Sequence, residues 1–151
     1  GAHVYGSSGN VLEVASTDAN GAYMRFSLGN SGNQLGYIGS PNQLLSAGGA
    51  ADLAIRAEAN LRIATGGSTT RVTIDSSGHL FPQTNGSQDL GASGTRWRNI
   101  YTSDLQMSNE GFANEVDGTW GNYTIQEGED DLFLINRRNG KKYKFNLTEV
   151  S

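Results

Sequence analysis

Leu, Ile, Val and Phe together make only about a fifth of this chain, close to the ~20% level below which sequences tend to stay disordered. A solitary domain of 151 residues should bury roughly 68–70% of its unfolded surface. These side chains are too few to do that alone. The net charge of −4 is too small to force disorder by self-repulsion. Disulfide staples are excluded because there is no cysteine, and Cys/His metal clips because the only histidines are His3 and His79. What remains is burial against other chains.

The rest of the composition points the same way. Gly, Ser, Asn and Thr make about two-fifths of the residues, which suits a turn-rich β protein with a thin core. A helical bundle, an α/β enzyme or a coiled coil would need more Leu, Ala, Glu and Lys. No stretch approaches the ~18 apolar residues of a membrane span, and no signal-peptide pattern is present. The chain begins at Gly1 rather than Met, which reads as a fragment or a processed product.

Short strands punctuated by turn clusters are expected from Val11 to Leu80. Val11-Leu12-Glu13-Val14 reads as the first. In Ala22 to Leu28, Met24, Phe26 and Leu28 alternate against Arg25 and Ser27, placing one face on a core and the other in water. Leu35-Gly36-Tyr37-Ile38 follows the next turn. Asp52 to Leu61 is ambiguous, since Leu53, Ala57 and Leu61 share helical spacing. However, Leu53-x-Ile55 is echoed by Leu61-x-Ile63 and by Val72-x-Ile74. That echo favours strand passes, each with two apolar residues facing inward. Two such residues per pass cannot close a core within one chain. Three chains winding together could, so the expected fold is all-β, an elongated, intertwined homotrimer with short strands stacked along a threefold axis.

Residues 1–80 form this shaft, and residues 81–107 a connecting segment in which Trp97, Ile100 and Tyr101 share one side of a helical turn. Residues 108–151 form a C-terminal β-meander tip. In the tip, Asn139-Gly140 between two alternating runs signals a type I′ hairpin. That loop would pair Arg138 with Lys141, Asn136 with Tyr143, Leu134 with Phe145 and Leu132 with Leu147. Trp120 to Gln126 supplies a third strand. The meander is too small to be stable by itself, which again points to packing against copies of itself.

Three stretches stand out: Thr65-Gly66-Gly67-Ser68-Thr69-Thr70-Arg71-Val72-Thr73-Ile74-Asp75-Ser76-Ser77-Gly78, then Asp89-Leu90-Gly91 with Arg96-Trp97-Arg98-Asn99-Ile100-Tyr101, then Trp120 through Glu127 with Asn136 through Leu147. In this order they resemble the distal parts of tailed-bacteriophage tail fibres. The resemblance spans residues 65–147 and implies a homotrimeric virion fibre, extracellular, joined to other phage tail proteins, whose tip recognises the host surface. Many such fibres continue into a self-cleaving helical chaperone that begins Ser-Asp and carries a downstream catalytic Lys. Here Ser108-Asn109-Glu110 sits near that place and no lysine follows until Lys141. The chaperone is therefore expected to be replaced by the β-meander.

Adhesion is the expected activity, through a bacterial surface polysaccharide or outer-membrane receptor, with no cofactor, no metal, no nucleic acid and no membrane insertion. Recognition is placed in loops 108–131 and 136–142, with Asn114, Asp117, Trp120, Arg137, Arg138, Lys141 and Lys142 as the contacting side chains. Nucleic acid is disfavoured by the net acidic chain and the lack of a wider basic stripe. Glu127, Glu129, Asp130 and Asp131 could bind Ca²⁺ or serve a polysaccharide-cleaving tailspike as its acid/base pair. Charge balance for the basic hairpin ranks ahead of metal, and metal ahead of catalysis, so no catalytic residues are assigned. A structural fibre element without a receptor role is the third reading.

Overall fold

The computed structural model describes residues 12–29, 32–49 and 51–150. The chain divides between Gln88 and Asp89 into two units. Turn clusters cut the apolar runs so short that only local antiparallel pairing is available to them. Three small antiparallel sheets result, and none closes into a barrel.

In the first unit, β1 (Tyr23–Leu28), β2 (Asn33–Gly39) and β3 (Ala54–Ala57) pair in sequence order. A four-residue helix, α1 (Pro41–Leu44), begins on a proline, whose missing N–H costs nothing at that position. Tyr37, Leu44 and Ala54 form the buried apolar cluster of the described residues. The second sheet holds β4 (Leu61–Ala64), β5 (Thr70–Ile74) and β6 (Leu80–Pro82). The ambiguous Asp52–Leu61 stretch is therefore extended, feeding β3 and then β4. Leu61 lies opposite Ile74 and Ile63 opposite Val72, so the two echoed motifs are cross-strand partners.

The second unit carries a four-stranded sheet in the order β10-β9-β8-β7. Its strands are β7 (Asp104–Ser108), β8 (Asn122–Glu127), β9 (Leu132–Asn136) and β10 (Lys142–Lys144). The expected three-stranded meander thus gains a fourth strand on the side of β8.

Three local expectations are corrected. Leu12–Val14 form no strand, and Val11 lies outside the described residues. Residues 96–101 form no helical turn, and Trp97, Ile100 and Tyr101 are exposed. The C-terminal hairpin is displaced by two residues: Tyr143 faces Leu134 and Lys142 faces Ile135. A type I′ turn needs positive φ at both Asn139 and Gly140. Only Gly140 adopts it, at +73°. The Asn136 carboxamide oxygen instead accepts the Arg138 and Asn139 amides, and the Gly140 N–H donates to the Asn136 carbonyl at 2.9 Å, making a longer turn. A slip of two leaves every side chain on its expected face.

Each sheet leaves an apolar face uncovered within the described residues. Met24, Phe26, Ile38 and Ile55 share one; Leu61, Ile63, Val72, Ile74 and Leu80 share the second; Leu105, Met107, Tyr123, Ile125, Leu134 and Tyr143 share the third. Ile55 is 58% exposed, Ile63 48% and Leu105 45%.

Close backbone approach makes Gly39 indispensable to the first sheet. A Cβ there would collide with the Ala22 carbonyl oxygen, just before β1, and with Tyr23 at the start of that strand. Overpacking of this kind costs about 1–3 kcal/mol. Gly39→Ala should therefore lower the melting temperature by several degrees in a thermal unfolding scan. Gly94→Ala, with no neighbouring atom to meet, should leave it unchanged.

Candidate functional site

Strand polarity brings the predicted contact residues to one end of the four-stranded sheet. The β7–β8 loop (109–121) and the β9–β10 turn both leave the sheet there, and the Arg137 N–H donates to the Asn122 carbonyl at 2.8 Å across their bases. The acidic turn between β8 and β9 lies at the opposite end. There Lys144 Nζ pairs with Asp131 Oδ1 at 2.7 Å, while Glu129 and Asp130 stay exposed. Charge balance therefore reaches Lys144 and not Arg137 or Arg138. The corrected register also places Lys142 opposite Ile135 and Lys141 opposite Asn136, so Arg138 and Lys141, expected to oppose one another, do not.

Trp120 and Arg138 meet directly. The Arg138 guanidinium lies 3.9 Å from the indole centroid, and its Nη1 donates to the Trp120 carbonyl at 2.6 Å. A stacked and hydrogen-bonded guanidinium is held in one orientation. The pair offers a planar aromatic edge beside a fixed cation. Tyr123 and Asn136 support the base of this end: the Asn136 Nδ2 donates to the Tyr123 hydroxyl at 3.1 Å.

The 114–119 loop is wired through its own side chains. Asn114 Nδ2 donates to Asp117 Oδ1 at 2.6 Å and to the Thr119 carbonyl at 2.7 Å. The Thr119 hydroxyl and amide both donate to the same Asp117 oxygen, at 2.8 and 3.0 Å. The Asn114 amide, and after it Thr119, hold the Asp117 carboxyl below the usual carboxylate range. A carboxylate so held is ionised at neutral pH and is not a general acid there. Asn109 anchors the loop's exit by accepting the Gly121 N–H at 2.6 Å. A groove of about 520 Å³ runs beside it, lined by Met107, Asn109, Asn114, Gly121 and Tyr123 among others.

Of the predicted residues, Asn114 pairs with Asp117 and Trp120 with Arg138. Arg137 instead turns onto the sheet face, where its Nε donates to the buried Thr124 hydroxyl at 2.8 Å. Thr124 in turn donates to Gln106 at 2.7 Å. Lys141 belongs to the turn, with its N–H on Asn139 Oδ1 at 2.9 Å, and Lys142 belongs to β10. Asn109, Gln106 and Asn136 were not singled out from the sequence. Only Asn136 carries a local signal there, as an Asn two residues before a turn. No group of three His, Cys, Asp or Glu side chains able to hold a metal ion occurs among the described residues.

Comparison with protein-family models, with curated proteins and with solved structures finds no match to this chain.

The wiring of Asp117 sets a pH dependence. Because its carboxyl is depressed by folding, the stabilisation is present above the unfolded value of about 3.9 and is lost as pH falls through the lower folded value. The Thr119 backbone amide and Asn114 side-chain amide signals, both from donors to the Asp117 carboxylate, should therefore hold steady from neutral pH to about pH 4 and shift together below it in an NMR titration. In Asp117→Asn this shared acid transition should vanish.

Proposed function

We propose that this chain is a distal fragment of a tailed-phage tail fibre, assembled as a homotrimer in the virion, which attaches to a bacterial surface polysaccharide or outer-membrane component. What carries the reading is the set of three uncovered apolar sheet faces in a chain whose buried apolar cluster, among the described residues, is Tyr37, Leu44 and Ala54. Contiguous exposed apolar patches beyond a few hundred Å² mark interaction surfaces, and other copies of the chain are the cover this reading assigns. The resemblance of residues 65–147 to fibre ends supplies the threefold symmetry and the host.

The mechanism is adhesion by several weak contacts. Three copies present three equivalent Trp120–Arg138 ends, and attachment by one raises the effective concentration of the others. Competition between the purified chain and intact phage for host cells tests the reading. Dose-dependent protection of the cells is expected. Absence of binding and of protection, with the trimer intact, overturns the receptor role. Release of oligosaccharide from host polysaccharide, lost on changing Glu127, Glu129, Asp130 and Asp131 to amides, would replace adhesion by catalysis.

A further inference from the structure

Among the described residues, the four-stranded sheet ends in two unpaired edges whose chemistry is complementary. On β7, the Asn109 N–H donates to the Gly121 carbonyl at 3.2 Å, which fixes the phase of the ladder with β8. Residues 105, 107 and 109 therefore bond inward to β8. Asp104, Gln106 and Ser108 turn their N–H and C=O groups away from the sheet. The Thr102 hydroxyl donating to the Asp104 carbonyl at 2.8 Å is in keeping with that direction. On β10, the Asn136 N–H donates to the Lys141 carbonyl at 2.8 Å and the Phe145 N–H to the Leu132 carbonyl at 3.0 Å. Residues 141, 143 and 145 thus bond inward, and Lys142 and Lys144 turn outward.

Antiparallel pairing joins residues that carry their side chains on the same face and run in opposite directions. An even number of strands satisfies both conditions at once. The outer edges β7 and β10 run oppositely, and their outward-bonding residues (104, 106 and 108; 142 and 144) all lie on the polar face shared with Thr124 and Ile135. A copy related by rotation about an axis along the strands can therefore extend the sheet without inverting it. Neither three-stranded sheet can do this, because its two edges run in the same direction.

We propose that β7 of one copy pairs antiparallel with β10 of the next, with Asp104 opposite Lys144 and Gln106 opposite Lys142. This rests on the trimer reading above and specifies how its C-terminal sheets join. The register sets Asp104, whose carboxylate accepts from Gln126 Nε2 at 2.8 Å, against Lys144, so that Lys144 lies between Asp104 of the neighbouring copy and its own Asp131 on the polar face. On the apolar face it sets Leu105 against Tyr143, joining the uncovered apolar surface of each copy to that of its neighbour. Three four-stranded sides then make a closed triangular prism. With ~4.8 Å between strands each side is about 19 Å wide, which puts each backbone layer about 5.5 Å from the axis. That is roughly half the ~10 Å at which two sheets pack face to face, so the three apolar faces meet without a void. Lysines on an edge strand also serve to block such pairing, and the experiment separates the two roles.

Gln106→Cys combined with Lys142→Cys in the full chain tests the seam, since the chain has no cysteine of its own. Within one copy the two positions sit on opposite edges, three strand spacings or about 14 Å apart, beyond disulfide reach. Across the seam they are paired residues at about 5.5 Å, within it. Mild oxidation should give covalent trimers on a non-reducing gel, and neither single variant should. Backbone amides of Gln106 and Lys144 should be protected from hydrogen exchange in the unsubstituted protein. A trimer by sedimentation with no covalent trimer and with both amides exchanging freely overturns the seam and leaves the trimer standing. A monomer by sedimentation overturns both.

Discussion

Under the proposed homotrimer, Ile63→Asp is expected to convert a species of three times 16.1 kDa to a single chain in sedimentation, and to remove its cooperative thermal transition. Ile63 faces Val72 in the middle of an apolar face that also carries Leu61, Ile74 and Leu80. Within one chain it is already 48% exposed, so a carboxylate there costs an isolated molecule little, within about 0.5 kcal/mol for a surface change. Covered by neighbouring copies, the same substitution buries three unpaired carboxylates around one axis. Each carries a penalty of several kcal/mol even after relaxation, and together they are comparable with the 5–15 kcal/mol typical of a folded domain. The two outcomes are therefore far apart. Ser68→Asp, on the exposed β4–β5 turn, should leave mass and melting unchanged. An Ile63→Asp protein that remains trimeric and melts as before would remove the shared interior.

Strand identity was legible wherever alternation and turn residues agreed. Met24, Phe26 and Leu28 read as one face and fall on β1. Leu61 and Ile63 read as a repeat of Val72 and Ile74, and the structure makes them partners. Face assignment in the C-terminal hairpin was legible too, since it depends only on parity. Register was not. It turns on whether Asn139 accepts a positive φ, and the Asn136 carboxamide offers its neighbours a competing set of bonds. β7 was missed for a different reason. Its pairing partner, β8, follows only after the 109–121 loop, and Leu105 and Met107 alone make too short an alternation to announce a strand.

The site divides along the same line between local and distant information. Asn114 and Asp117 are three residues apart, and their contact is the kind of side-chain turn that a sequence displays. The Trp120–Arg138 contact spans 18 positions. It exists because β8 and β9 are antiparallel neighbours that return the chain to the same end of the sheet. The acidic turn shows the converse. Proximity in sequence to the basic hairpin suggested neutralisation, but one strand length separates it from Arg138, and only Lys144 reaches it.

Under the proposed fibre reading, Trp120→Ala is expected to abolish competition with intact phage while leaving the mass of the proposed trimer and the melting temperature intact. The indole carries the Arg138 guanidinium at 3.9 Å, so its removal takes away an aromatic surface and frees the cation that rests on it. A ligand meets the indole edge, and the guanidinium fixed beside it adds a directed donor for a hydroxyl or phosphate. Loss of about 1.4 kcal/mol at one site is tenfold in affinity. With three sites engaged together the losses multiply, towards about a thousandfold in the concentration that protects cells. Arg138→Lys keeps the charge but not the planar stack, and should fall between the two. If Trp120→Ala protects host cells as well as the unsubstituted protein, while Trp97→Ala does not, recognition resides on the exposed 89–101 segment instead of at the loop end of the four-stranded sheet.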